Sequence, residues 1–121
     1  MKQDTVKFTC PCCGYRTLTD SPGSYEICHV CYWEDDPVQL LDAWYRGGAN
    51  KVSLQEGQRN YAVVGVSEEK FKANVKGVLP DDTRDPLWRP VREADRQRVT
   101  TPAQLAKENP EGPWKWYYWE Y

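Results

Sequence analysis

The sequence predicts an α+β fold, in which a small β-hairpin module that contains all of the cysteines packs against three to four short helices. Three observations support this prediction. All five cysteines lie in two short clusters, at residues 10–13 and 28–31. Short runs of alternating polarity, typical of strands, flank these clusters. Helix start and stop signals recur after residue 36. Two cysteine pairs joined by a hairpin are typical of a zinc-knuckle or zinc-ribbon module.

The predicted strands surround the cysteine clusters. Residues 5–9 and 15–19 alternate in polarity, and a turn signal at residues 20–23 is followed by a short run at residues 25–28. We expect residues 15–19 and 25–28 to pair as a hairpin, which would place one cysteine pair near each of its ends.

The first two helices are predicted from their caps. Asp36 is a good N-cap and Pro37 suits the first helical position, so the first helix would run from Pro37 toward Gly47. Ser53, with an acidic residue three positions later, forms a capping-box pattern that starts the second helix. Gly65 would end this second helix.

The remaining elements follow from apolar spacing and prolines. A third helix is predicted over residues 67–78 and a fourth over residues 102–108, with a turn-rich arm at 80–90 that docks Trp88. The aromatic composition of residues 113–121 favours a strand. The predicted core consists of large side chains on these elements: Trp33, Leu41, Trp44, Tyr61, Phe71, Val75 and Trp88.

Length and charge narrow the class of protein. A chain of 121 residues predicts one domain, with a β module at 1–36, a helical part at 37–92 and a C-terminal extension with an aromatic tail at 93–121. Acidic residues number 18 and basic residues 16, so no overall field draws the chain to nucleic acid or to a membrane. We expect a cytoplasmic protein, because neither a signal peptide nor a membrane span is visible.

The cysteines predict one structural zinc ion. In a reducing cytosol, clustered cysteines bind metal more often than they form disulfides. Each C-x-x-C unit places two sulfurs on one tight turn, and structural zinc takes a closed tetrahedral set of four ligands. The predicted ligands are Cys10, Cys13, Cys28 and Cys31. Iron is the alternative ion for such a site.

One cysteine and the single histidine remain outside this ligand set. Cys12 is either a small buried apolar residue or a replacement for Cys10 or Cys13. His29 is either a partly exposed loop residue or a substitute ligand. Thiol redox chemistry is less favoured, because a redox C-x-x-C lies at a helix start and the residues after Cys13 predict a turn and a strand.

A site closed by four thiolates has no open position for water or substrate, so the zinc would be structural. We find no nucleophile elbow, phosphate-binding loop or zinc-protease motif, and we expect no enzyme activity and no small-molecule substrate.

Two groups of residues are candidates for binding a protein partner. The acids Glu34, Asp35 and Asp36 would either start the first helix or form a contact surface for a basic partner. The aromatic tail would either pack on the domain itself or bind a partner through three tryptophans. These tryptophans are Trp114, Trp116 and Trp119.

The sequence resembles the bacterial cysteine-rich CPCC family. The resemblance rests on the following segments: CPCCGYRTL from residue 10, YEIC and CYWEDD within 25–36, GANKVSL from residue 48, NY at 60–61, and RDP from residue 84 with Trp88. Gly57 stands where the family pattern favours alanine, and His29 where it favours proline. The resemblance implies a small metal-binding protein and, since some members sit beside toxin genes, an immunity protein.

The favoured function is therefore a protein-binding module that neutralises a toxin. Two alternatives stay open: a nucleic-acid-binding zinc-ribbon regulator, which the charge layout disfavours, and a thiol redox or metal-handling protein.

Overall fold

The computed structural model describes residues 7–121 and confirms the α+β class. Two short antiparallel strands are followed by three α-helices, with 3₁₀ turns between and after them. The strands are β1 (Phe8–Thr9) and β2 (Arg16–Leu18), and the helices are α1 (Pro37–Leu41), α2 (Leu54–Val64) and α3 (Pro102–Glu108). The 3₁₀ turns are Glu69–Phe71, Glu93–Arg98 and Tyr118–Glu120.

The strand pairing differs from the prediction. β2 pairs with β1, with Phe8 opposite Leu18, so the first cysteine cluster forms the connection of this hairpin. The predicted pairing of residues 15–19 with 25–28 is wrong. The second cluster instead closes its own small loop, in which Ile27 forms an isolated bridge with Glu34. The predicted strand residues 5 and 6 lie outside the described part of the chain.

Helix α1 begins where predicted and ends early. The Asp36 carboxylate accepts hydrogen bonds from the backbone N–H groups of Val38 at 2.7 Å and Gln39 at 3.4 Å, which caps the helix. The helix ends at Leu41 rather than near Gly47. The reason is local, because the Asp42 carboxylate accepts the Trp44 N–H at 3.0 Å and turns the chain out of the helix.

The segment between α1 and α2 is held by one buried side chain. The Gln39 amide nitrogen donates to the carbonyl oxygens of Tyr45, Asn50 and Val52, at 3.1, 3.1 and 2.9 Å. Its amide oxygen accepts the Asn50 N–H at 3.0 Å. Gln39 is fully buried, and these bonds satisfy backbone groups that form no regular ladder.

Helix α2 follows the prediction at both ends. Ser53 Oγ accepts the Glu56 N–H at 3.1 Å and Glu56 Oε1 accepts the Ser53 N–H at 2.9 Å, so the capping box is present. Gly65 ends the helix in the left-handed conformation. Helix α3 covers the predicted residues and is capped by Thr101, whose hydroxyl accepts the Gln104 N–H at 3.1 Å.

The predicted third helix over residues 67–78 is wrong. Only the 3₁₀ turn Glu69–Phe71 forms, and the rest of the segment wraps around the second cysteine cluster. Backbone bonds to that cluster replace helical ones, because the Ser67 N–H donates to the Cys31 carbonyl at 2.8 Å and the Lys76 N–H to the His29 carbonyl at 3.0 Å.

The predicted C-terminal strand over residues 113–121 is also wrong. The segment ends in the 3₁₀ turn Tyr118–Glu120, and individual aromatic side chains anchor it. Tyr118 is buried, donates its hydroxyl to the Arg89 carbonyl and accepts the Gln58 amide at 2.9 Å. Tyr117 donates its hydroxyl to the Thr9 carbonyl at 2.9 Å, which ties the segment to β1.

The core lies around the cysteines. Buried with them are Leu18, Val30, Trp33, Leu40, Ala43, Leu54 and Tyr118. Of the predicted core, Trp33 and Leu41 are buried; the others are only partly buried, namely Trp44, Tyr61, Phe71, Val75 and Trp88. Among residues 7–121, no helix combines the length and the apolar character that crossing a bilayer requires.

Candidate metal centre

Four cysteine sulfurs converge in the interior. Their Sγ atoms all lie within 4.8 Å of one another, and all four residues are buried: Cys10, Cys13, Cys28 and Cys31. Cys10 and Cys31 sulfurs are 3.6 Å apart, and Cys13 and Cys28 sulfurs 3.8 Å apart. A disulfide would require about 2.05 Å, and these cysteines are free thiols. Four sulfurs placed tetrahedrally about 2.3 Å from zinc lie about 3.8 Å apart, so the geometry fits a metal ion.

The first cysteine pair is held by a tight backbone loop. The Cys10 N–H donates to the Tyr15 carbonyl at 2.9 Å, and the Gly14 N–H donates back to the Cys10 carbonyl at 2.8 Å. Gly14 is left-handed, with φ of +82°. The loop therefore brings both sulfurs of the pair to the same side.

The second cysteine pair repeats this pattern. The Cys28 N–H donates to the Trp33 carbonyl at 2.9 Å, and the Tyr32 N–H donates to the Cys28 carbonyl at 2.8 Å. The two loops face each other across the sulfur cluster. We refer to residues 10–15 and 28–33 as the first and second knuckles.

The electrostatics of the cluster favour a bound cation. Burial is the main cause that raises the pKa of the Cys10, Cys13 and Cys31 thiols. Hydrogen bonds from these three thiols are the main cause that lowers the pKa of Cys28, and Thr17, whose hydroxyl lies 3.0 Å from the Cys28 sulfur, adds to this. Burial thus opposes ionisation of most of these thiols. A divalent ion supplies the positive charge that four buried thiolates need.

Cys12 is buried but is not part of the cluster. Its sulfur would lie 3.3 Å from a Cβ placed on Gly57, so it packs against α2. This confirms the prediction that Cys12 is a small buried apolar residue beside the metal site.

His29 also lies outside the cluster and is partly exposed, as predicted for a loop residue. Its Nε2 is 2.8 Å from Asp82 Oδ2, which joins the second knuckle to the loop at 79–82. Burial of the Asp82 carboxylate opposes its ionisation, but hydrogen bonds from the Leu79 N–H and from His29 outweigh this and lower its pKa.

Two residues from the arm at 80–90 support the first knuckle. Arg84 Nη2 donates to the Cys13 carbonyl at 3.0 Å, and Trp88 Nε1 donates to the Pro11 carbonyl at 2.9 Å. The sequence predicted that Trp88 docks, but it did not predict the role of Arg84. The available signal was the RDP segment between the prolines of the arm, which places Arg84 close to Trp88.

The structure contradicts most of the predicted acidic contact surface. Asp35 is buried, and its carboxylate accepts the Gly23 N–H at 2.9 Å. Asp36 is buried as well, where it caps α1 and accepts the Ala49 N–H at 2.8 Å. Only Glu34 is partly exposed. The alternative interpretation, that the acids start the first helix, is confirmed for Asp36.

The three tail tryptophans are partly buried. Trp116 and Trp119 pack against the core, and Trp119 stacks on Tyr117 with ring centroids 4.2 Å apart. Trp114 meets Trp116 edge to face and donates to the Asn109 carbonyl at 2.6 Å. A role of Trp114, Trp116 and Trp119 in partner binding stays a prediction.

Comparisons with known proteins agree with this cluster. The sequence model of a family described as cysteine-rich CPCC matches residues 8–82, which is more than half of the chain and includes the four clustered cysteines. No curated protein matches the chain.

Proposed function

The chain belongs to the cysteine-rich CPCC family, and from this premise we propose that it binds one structural zinc ion and acts as a protein-binding module. The observation that carries the zinc proposal is the closed set of four buried thiols within 4.8 Å. Four thiolates leave no coordination position for water or substrate, so the ion stabilises the fold instead of performing chemistry.

Zinc is favoured over iron because structural sites of four cysteines in small intracellular modules are typically zinc sites. The test is native mass spectrometry and elemental analysis of the purified chain. We expect one zinc ion per chain, and replacement by Co²⁺ should give the visible spectrum of tetrahedral thiolate coordination. Stoichiometric iron, or a chain without bound metal, would contradict the proposal.

Several features support protein binding over catalysis. The metal would be closed to substrate, and Cys12, which a redox function would need to be accessible, is fully buried. Large apolar side chains are nevertheless exposed, among them Val63, Leu87, Tyr25 and Val78. Single exposed apolar residues are common on protein surfaces, so they are compatible with a protein contact but do not identify its surface.

The family resemblance extends the proposal to an immunity protein that neutralises a bacterial toxin inside the cytoplasm. Co-expression with toxin genes adjacent to its own gene tests this role. The intact chain should restore growth to cells that express the cognate toxin, whereas Cys13→Ser, which lacks a metal ligand, should not. The immunity role would be contradicted if none of the neighbouring genes inhibits growth when it is expressed. It would also be contradicted if the chain does not restore growth to cells inhibited by such a gene.

A further inference from the structure

Arg84 lies on the outer side of the first knuckle, between two aromatic rings. Its guanidinium carbon is 5.2 Å from the ring centroid of Tyr15 and 5.2 Å from that of Trp88. Its bond to the Cys13 carbonyl, at 3.0 Å, fixes it further. The side chain is thus ordered before any partner arrives, which lowers the entropic cost of binding.

The charge of Arg84 has no carboxylate partner among residues 7–121, since none of the ion pairs within 4.0 Å includes it. The neighbouring carboxylate, Asp85, is occupied elsewhere. It accepts the Thr9 hydroxyl at 2.7 Å and the Leu87 N–H at 2.9 Å, and it lies 3.6 Å from the Arg16 guanidinium. Arg84 is exposed and keeps several N–H donors free for a ligand.

Leu87 adds an apolar contact next to this charge. Its exposed fraction is 75%, among the highest of the large apolar side chains. Its backbone is ordered through the bond to Asp85, and the next residue, Trp88, is anchored on the first knuckle. Arginine, tyrosine and tryptophan are the residue types that dominate binding hot spots. We call the surface of Tyr15, Arg84, Leu87 and Trp88 the Arg84 face.

We propose that the Arg84 face docks an acidic segment of a partner protein. A carboxylate of the segment pairs with the free N–H groups of Arg84, and an adjacent apolar side chain covers Leu87. This inference rests on the proposed protein-binding function and identifies its surface. The proposed partner segment is acidic, whereas the sequence predicted a basic partner. The acids predicted to contact that basic partner are largely buried.

A protein segment fits this face better than a nucleic acid. The rings of Tyr15 and Trp88 already contact the guanidinium, so the ring surfaces on that side are not free to stack bases. Arg16, the basic residue next to Tyr15 in the chain, already faces Asp85. A nucleic-acid surface requires a longer stripe of positive charge.

The test uses a displayed library of random peptides, selected on the zinc-loaded full chain. The selected peptides are then synthesised and titrated against the wild type, Arg84→Gln and Leu87→Ser. Val78→Ser is the matched control, because Val78 is an exposed apolar residue of another segment, with an exposed fraction of 50%. We expect peptides with Asp or Glu beside an aliphatic residue, affinity at least about tenfold weaker for the first two variants, and unchanged affinity for the control.

Zinc content is measured for every variant, so that loss of binding is separated from loss of the fold. Where Arg84→Gln loses zinc, Arg84→Lys and Leu87→Ser provide the comparison. Peptides without acidic enrichment, or binding that is indifferent to these variants, would overturn the inference and leave the zinc-containing binding module intact. If a short thymidine oligonucleotide binds in an Arg84-dependent manner and peptides do not, the proposal that this face binds a protein segment would be overturned. A library that yields no binder counts against both the inference and the protein-binding role.

Discussion

Gly14 and Tyr32 occupy equivalent positions in the two knuckles. Each follows the second cysteine of its pair, each is left-handed, with φ of +82° and +68°, and each donates its N–H to the first cysteine of the pair. Glycine adopts this conformation without penalty, whereas a residue with a Cβ loses roughly 1–2 kcal/mol. The Tyr32 ring packs at a tilt of 42° against the Phe71 ring, with ring centroids 4.6 Å apart, and this contact offsets part of that cost.

Gly14→Ala should destabilise the chain by about 2–3 kcal/mol, because the left-handed backbone and a steric clash act together. A Cβ at this position would lie 2.6 Å from the Trp88 ring. Gly47→Ala is the matched control, since Gly47 has φ of +80° and no atom within 4 Å of its Cβ position. The control should lose only about 1 kcal/mol. Chemical denaturation of the metal-loaded variants measures both losses, and equal losses would show that Trp88 does not restrict this site.

Replacing a ligand and replacing the neighbouring buried cysteine should have different results. Cys13→Ser should lose bound zinc and about 3 kcal/mol or more of unfolding free energy, because metal binding contributes to folding. Cys12→Ala should keep one zinc per chain and lose about 1 kcal/mol through a small cavity. Elemental analysis and thermal melting, with and without a chelator, measure these effects. A wild-type melting temperature that a chelator leaves unchanged would contradict the structural role of the metal.

Gly57→Ala should destabilise the chain although alanine favours helices. The gain in helix propensity is about 1 kcal/mol, but the new Cβ would lie 3.1 Å from Trp33 and 3.3 Å from the Cys12 sulfur. Trp33 is fully buried and cannot move aside, so crowding of about 1–3 kcal/mol prevails. A double-mutant cycle with Cys12→Ala measures the coupling. The combined variant should recover part of the loss, and strict additivity would rule out the contact with Cys12.

Asp35→Asn should stabilise the chain increasingly as pH rises. Burial raises the pKa of the Asp35 carboxyl despite its hydrogen bonds from Ser24 and Gly23. The folded state therefore binds this proton more tightly than the unfolded state, and the stability so gained is present below the unfolded pKa, near pH 4, and lost as pH rises through the folded value. Asparagine removes that loss.

The measurement for Asp35 is the difference in unfolding free energy between variant and wild type across pH. This difference cancels the acid-induced protonation of the thiolates, which both chains share. It should be smallest near pH 4 and grow toward neutrality. A difference that does not change with pH would mean that the carboxyl titrates alike in the folded and unfolded states.

Features encoded by neighbouring residues could be predicted from the sequence. The caps at Asp36 and Ser53 form as expected, because each depends on a side chain and a backbone group a few residues away. The four clustered cysteines were predicted in the same way, from the spacing within each pair.

Features that depend on distant contacts could not be predicted. Residues 67–78 have a helical apolar pattern. Their backbone N–H groups nevertheless donate hydrogen bonds to the carbonyl groups of His29 and Cys31, and the predicted helix does not form. Asp35 looks like a surface acid in the sequence, and only the fold buries it against the turn at Gly23. Arg84 acts on the first knuckle from a distant part of the chain. The partners of these residues lie in distant parts of the chain, so local sequence patterns do not identify them.

Tyr118 lies beyond the residues matched by the family, yet it belongs to the same buried cluster as the cysteines. Order at the sulfur cluster and order in the terminal aromatic segment are therefore thermodynamically linked. If an ion bound by the cysteines stabilises the packed terminal segment, the packed segment strengthens ion binding by the same coupling free energy. The intrinsic fluorescence of the terminal tryptophans thus becomes an optical reporter of how fully the sulfur cluster is occupied.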